Sequence, residues 1–193
     1  MDNLNELTGG AQQSRELLAG LIDRTLHFEQ IHEIQSAEKD TDRFDNYVEL
    51  LQERVPWSEQ ILLPIHDHLF IVAKADGSGA ITKAACGQEF GDWRENWQLH
   101  TVMRTRTTEE ELMEIYPPGT SLDLRIIHFR EFYCPGCGTL LDVDTAPPNY
   151  PLVREFFPDL ATFYNDWLGR PLPVDVGVWE DRSQQVVDAW AVE

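Results

Sequence analysis

The feature that most constrains the fold is Cys134-Pro135-Gly136-Cys137-Gly138. Two residues between cysteines let both thiolates aim at one metal ion, and the glycines allow the left-handed backbone of such a turn. Leu122 to Tyr133 alternates as a strand running into it, and Leu140 to Val143 leaves it as the next strand. Strand, knuckle, strand is one half of a zinc ribbon. The other half needs a second turn carrying sulfur. Cys86-Gly87, which ends a strand candidate at Ala80 to Ala85, is the available partner. The metal ligands expected are therefore Cys86, Cys134 and Cys137.

A structural zinc site wants four ligands, and the chain has three cysteines. Lys83-Ala84-Ala85 stands where a fourth would be expected. That leaves the corner to Glu89, Asp92 or His100, to water, or to nothing in a knuckle that holds no metal. A thioredoxin-like redox pair fits less well, because such pairs open a helix and Thr139-Leu140-Leu141 reads as strand. A zinc deaminase fits poorly too. Its glutamate lies two residues after the first ligand and a proline precedes its cysteine pair, whereas here Glu89 lies three residues after Cys86 and Tyr133 precedes Cys134. His66 and His68 fall in a turn, where polar residues are expected. His27 and His32 read as surface positions, and His128 as a sheet residue.

The remaining pattern predicts an α+β fold: a small antiparallel zinc-ribbon-like core flanked by helices, with extended N- and C-terminal arms. Leu18, Leu21, Ile22 and Leu26 repeat at helical spacing after Ser14, with Gly20 as a weak point. Phe44, Tyr47, Val48, Leu51 and Val55 form a second stripe between the caps Asp40, Thr41 and Asp42 and the stop at Pro56. Ile61 to Leu63 and Leu69 to Val72 are short strands, and Asp76-Gly77-Ser78-Gly79 is a turn. Leu99 to Arg106 alternates as a strand. Thr108 with Glu111 makes a capping box for a short helix that Pro117-Pro118-Gly119 ends. Leu160, Phe163, Tyr164, Trp167 and Leu168 share a helical face that Gly169 terminates. The chain divides into a helical arm at 1–39, a core at 40–173 and an acidic tail at 174–193. Trp179 and Trp190 on that tail either dock on a partner or fold back on the chain.

The net charge of −19 has the wrong sign for a nucleic-acid footprint. No run approaches the roughly 18 apolar residues of a membrane span, and Met1 to Gly10 is polar and acidic, so neither membrane nor export is expected and the cytoplasm is the default. The sequence carries no phosphate loop, no dinucleotide fingerprint and no nucleophile elbow. Nothing in it assembles a complete active site.

Several tracts together resemble the acetone carboxylase γ subunit family. They are Asp42-Arg43-Phe44 through Tyr47-Val48-Glu49-Leu50 to Pro56-Trp57, Ile61-Leu62-Leu63-Pro64, Leu69-Phe70-Ile71-Val72, Cys86-Gly87-Gln88-Glu89-Phe90, Asp92-Trp93-Arg94-Glu95-Asn96-Trp97, Glu114-Ile115-Tyr116-Pro117, Arg130-Glu131-Phe132-Tyr133 into the cysteine knuckle, Tyr150-Pro151, and Phe163-Tyr164-Asn165-Asp166-Trp167-Leu168-Gly169. They are collinear over about residues 40 to 173. The resemblance implies a non-catalytic, zinc-bearing structural subunit. It implies two large partners related to hydantoinases and oxoprolinases, which use ATP with Mn2+ or Mg2+ to join a ketone to bicarbonate as a β-keto acid. Acetophenone carboxylase shares that plan. The family carries an extra cysteine just before the position of Cys86, and this sequence has Ala84-Ala85 there. The stretches before residue 40 and after Pro173 look longer than the family core and could be docking arms.

Overall fold

The computed structural model describes residues 15–36, 42–117 and 123–190. Ser14, Asp40, Thr41, Pro118, Gly119 and Leu122, all used above, lie outside them. The chain divides into a unit ending at Ser58 and a unit running from Glu59.

The first unit holds three helices: α1 (Arg15–Asp23), α2 (Phe28–Ser36) and α3 (Arg43–Gln52). Leu17 and Leu18 of α1 and Leu50 and Leu51 of α3 are buried. Surface ion pairs flank the packing of α1 on α3, Arg15 to Glu53 at 2.6 Å and Arg54 to both carboxylate oxygens of Asp23. The predicted first helix does not reach Leu26. Arg24 takes a left-handed φ of 57°, and Thr25 N–H donates to the Gly20 carbonyl. Leu26 folds back into space that a side chain on Gly20 would occupy, since a Cβ there would lie 2.5 Å from Leu26 Cδ2. Gly20 thus serves the turn after the helix more than it weakens the helix. Asp42 occupies the α3 N-cap, but its side chain makes no capping hydrogen bond.

The second unit has two antiparallel sheets. One is a meander of β1 (Ile61–His66), β2 (Leu69–Ala73), β3 (Ala80–Ala84) and β4 (Glu89–Asp92), in that order. The other orders β5 (Val102–Arg106), β6 (His128–Tyr133) and β7 (Leu140–Ala146). Mixed helices and antiparallel sheets make this an α+β fold. Strand β2 is buried along its whole length, which is why Leu69-Phe70-Ile71-Val72 is continuously apolar. The Asp76–Gly79 turn closes β2 on β3, and Asp76 accepts from the Ser78 amide and hydroxyl.

Two apolar clusters fill this unit. Leu62, Ile71, Ala73, Ala80, Trp93, Leu160 and Val176 form one. Leu69, Ala84, Phe90, Cys134 and Leu141 form the other, drawn from both sheets. That second cluster brings the end of β3 beside the end of β6, where the cysteines lie.

Three expectations shift. Residues 97–100 wind as a 3-10 turn, started by Asn96 accepting from Gln98 N–H, so β5 begins at Val102. Strand β6 begins at His128, because Asp123 makes a turn instead. Its carboxylate accepts from Arg125 N–H, and its carbonyl accepts from Ile126 and Ile127. The helix after Asp159 is α-helical only over Leu160–Thr162 and then π-helical over Phe163–Trp167, with Leu168 N–H reaching the Phe163 carbonyl. The extra residue in that turn rotates the face. Leu160 and Tyr164 stay buried, while Trp167 is 77% exposed. The capping box predicted at Thr108 and Glu111 is present, on α4 (Glu109–Met113).

The C-terminal stretch folds back in part. Val176 is buried, Trp93 Nε1–H donates to its carbonyl at 3.1 Å, and Trp179 stacks on Phe157 with ring centres 5.0 Å apart. Beyond it, α5 (Ser183–Trp190) buries none of its residues.

Candidate metal centre

The two cysteine turns are built by the ends of β3 and β6. In the β6–β7 turn, Cys134 N–H donates to the Thr139 carbonyl, and Gly138 N–H returns to the Cys134 carbonyl. Gly138 sits at φ +73°, a conformation costly for any residue with a Cβ. In the β3–β4 turn Gly87 plays the same part at φ +99°.

Gly136 does not supply a left-handed φ, contrary to the expectation from sequence. Its role is space. A Cβ there would stand 3.0 Å from Gln88 Oε1 and 3.1 Å from its Cβ, so a side chain would crowd Gln88 of the other turn, which would have to give by a few tenths of an ångström.

The turns bring Cys86, Cys134 and Cys137 together, with all three sulfurs within 4.8 Å of one another. The Cys86 and Cys134 sulfurs are 3.6 Å apart. Zinc–sulfur bonds of about 2.3 Å place the sulfurs of a tetrahedral site about 3.8 Å apart, so the spacing fits a bound ion. It is too wide for a disulfide, and all three thiols are free. Cys134 is buried, while Cys86 and Cys137 are exposed. Among the described residues no other group of three histidine, cysteine or carboxylate ligands gathers.

The environment divides the thiols. Thr139 donates from its hydroxyl, 3.1 Å from Cys137 Sγ, and from its backbone N–H, which lowers the Cys137 thiol to about 7. Burial pushes Cys134 up to about 11, against backbone donors from Cys137 and Gly136. Of these two, Cys137 is thus the readier thiolate and Cys134 the more reluctant. Sequence spacing pointed to the cysteines but not to Thr139 or Gln88, whose roles arise only when the turns meet.

The carboxylates and histidine considered for a fourth ligand are engaged elsewhere. Asp92 grips Arg94 through both oxygens, at 2.8 and 2.9 Å. His100 Nε2 lies 2.9 Å from Glu95 Oε2. Glu89 lies 3.5 Å from Lys83 Nζ, which also pairs with Glu59 at 2.5 Å. None of them joins the sulfur cluster. His66 is the last residue of β1 and not part of the turn expected for it, whereas His68 lies in the β1–β2 turn and His128 opens β6, as the pattern suggested.

Compared with known proteins, residues 55–168 match the sequence model of the acetone carboxylase gamma subunit family. The chain belongs to that family. It is 39% identical over 164 residues to the acetone carboxylase gamma subunit of Xanthobacter autotrophicus (strain Py2), an alignment covering 83% of this chain and 95% of the relative. The matched stretch of the family contains all three cysteines and both sheets. No helix among the described residues is long and apolar enough to cross a membrane.

Proposed function

We propose that this chain is the zinc-carrying, non-catalytic subunit of an ATP-dependent ketone carboxylase, of the acetone type or its acetophenone relative. The reading is supported above all by a likeness that spans 95% of a carboxylase γ subunit and by the sulfur cluster inside the matched region. Cys86, Cys134 and Cys137 hold the ion. When bound, zinc supplies a crosslink of fixed geometry between two turns that are distant in sequence. Catalysis then belongs to two large hydantoinase- and oxoprolinase-like partners, which bind ATP and Mn2+ or Mg2+ and form the β-keto acid from ketone and bicarbonate. The complex works in the cytoplasm, where free thiols persist.

The chain's own residues prepare the site. Thr139 favours the Cys137 thiolate, Gly136 leaves room for Gln88 of the other turn, and Phe90, Leu141 and Leu69 shield Cys134. Exposed aromatics offer anchors for the large partners, Trp167 at 77% and Phe156 at 57%.

The test is co-expression of the tagged chain with the two large subunits, followed by metal analysis of what co-purifies. The expected result is a three-component complex with zinc in proportion to this chain, and loss of assembly in Cys134→Ser. A well-behaved lone monomer with no zinc, under conditions where the large subunits assemble without it, would refute the reading and leave a stand-alone interaction module.

A further inference from the structure

The two cysteine turns can be aligned through their hydrogen bonds. Cys134 N–H donates to the Thr139 carbonyl at 2.9 Å, and Gly138 N–H donates to the Cys134 carbonyl at 2.8 Å. In the other turn Ala84 N–H donates to the Gln88 carbonyl and Gly87 N–H donates to the Ala84 carbonyl, both at 2.8 Å. Ala84 therefore occupies the place of Cys134, Cys86 that of Cys137, and Gly87 that of Gly138. Ala85 alone replaces Pro135-Gly136, so the first turn is one residue shorter. Ala84 and Cys134 also share one buried cluster with Leu69, Phe90 and Leu141.

The place of a fourth thiolate is thus filled by the methyl group of Ala84, while Lys83 turns its ammonium to Glu59 and Glu89. The carboxylates and the histidine nearest in sequence are held in ion pairs outside the cluster. The Thr139 hydroxyl is taken up by Cys137 Sγ at 3.1 Å, which leaves Gln88 as the next side chain with a donor atom beside the turns. Its amide nitrogen donates to the Glu89 carbonyl at 2.9 Å, and its oxygen faces Gly136.

Resting on the zinc reading above, we propose that the chain supplies three sulfurs and leaves one exchangeable coordination position, which takes a neutral nitrogen donor of the imidazole class from outside the chain. Cys86 and Cys137 are exposed, so the site can be reached from solvent. Three thiolates and a divalent ion already carry one net negative charge, on a chain whose own net charge is −19. A neutral ligand adds nothing to that charge, whereas an anion would be repelled. Imidazole nitrogen also suits zinc as a borderline-soft ion.

The test uses the full-length chain loaded with Co2+ in place of zinc, whose visible bands report the donor set. Imidazole should shift those bands saturably, with one equivalent bound per chain. Ala84→Cys should give the spectrum of a four-sulfur site, tighten Co2+ binding by about tenfold or more, and abolish the imidazole response. Gln88→Ala should keep the response. A wild-type spectrum indifferent to imidazole overturns the proposal whether or not Ala84→Cys folds. A spectrum altered by Gln88→Ala in the absence of imidazole also overturns it, by assigning the fourth donor to Gln88. In the assembled complex a retained response identifies a free ligand, bands already at the position of the imidazole-bound isolated chain identify an imidazole on a partner, and a lost response with any other bands overturns the proposal. Failure to bind Co2+ overturns the open position and the metal together. Co-purification with the large subunits remains a separate measurement of the subunit reading.

Discussion

Substituting Trp93 by phenylalanine tests whether the stretch around Val176 is part of the core or merely rests on it. Trp93 is 1% exposed and Val176 6%. The indole N–H donates to the Val176 carbonyl at 3.1 Å. Trp93→Phe removes that donor and leaves the buried carbonyl without it, at a cost of about 1–3 kcal/mol. The smaller ring leaves a void of some tens of Å3, worth about 1 kcal/mol at roughly 24 cal/mol per Å3. Together these give about 2–4 kcal/mol. For a unit of this size about 4 °C accompanies each kcal/mol, so Tm should fall by about 8–16 °C. The same variant should be cut faster by trypsin at Arg182, whose backbone N–H donates to the Arg94 carbonyl beside Trp93. Trp179→Phe is the control. That ring is 53% exposed and only stacks on Phe157, so its loss should cost about 1 kcal/mol or less. A Trp93→Phe protein that loses under 1 kcal/mol and resists trypsin as the wild type does would refute the claim that the stretch around Val176 is part of the core.

Three further outcomes follow from the same geometry. Glu131→Gln leaves Arg106, whose side chain is 5% exposed, with Glu114 as its remaining carboxylate, and should destabilise by about 3 kcal/mol in urea titration; near-neutrality would mean that the buried pair is dispensable. Burial pushes the Asp92 carboxyl up, but its hydrogen bonds and charge contact with Arg94 outweigh that and hold it below its ordinary value of 3.8. Its ionised form is thus favoured by folding: Asp92→Asn should cost about 1–2 kcal/mol near neutrality, and the gap from wild type should close as pH falls below 3.8, whereas a pH-independent gap would point to shape alone. In the metal-free chain at pH 7, iodoacetamide should label Cys137 faster than Cys134, read by peptide mass spectrometry, because Thr139 stabilises the exposed Cys137 thiolate while burial suppresses ionisation of Cys134. Equal rates would contradict that division.

Local chemistry was legible wherever one residue settles its own neighbours. The capping box at Thr108 and Glu111, the Asp76–Gly79 turn and the stop at Gly169 each close within a few residues, and each is found. The cysteine cluster was legible because sulfur is scarce in the chain and few residue types can answer it. What sequence could not supply was register. Ala84 as the counterpart of Cys134 is a relation between turns far apart in the chain, defined by hydrogen bonds to Gln88 and Thr139. Nothing in the string Lys83-Ala84-Ala85-Cys86 says that its turn is one residue shorter than the other.

The tryptophans show the same limit in another form. Periodicity placed Trp167 on one face with Leu160 and Tyr164, and a single extra residue in a π turn carried it into solvent. Tyr164 kept its burial because its hydroxyl donates to the Leu62 carbonyl at 2.9 Å. Trp93 kept its burial because Val176 accepts from its indole. Trp179 and Trp190, with no comparable polar anchor among the described residues, stay half exposed. An aromatic pattern states which residues gain from leaving water. Whether the chain itself provides the burial depends on whether a carbonyl stands ready for the polar edge of the ring, and that is settled by a loop 83 residues away for Trp93 and a strand 102 residues away for Tyr164. The rings left outside are therefore the ones on which a partner can act, and the carboxylase assembly is where their burial should be sought.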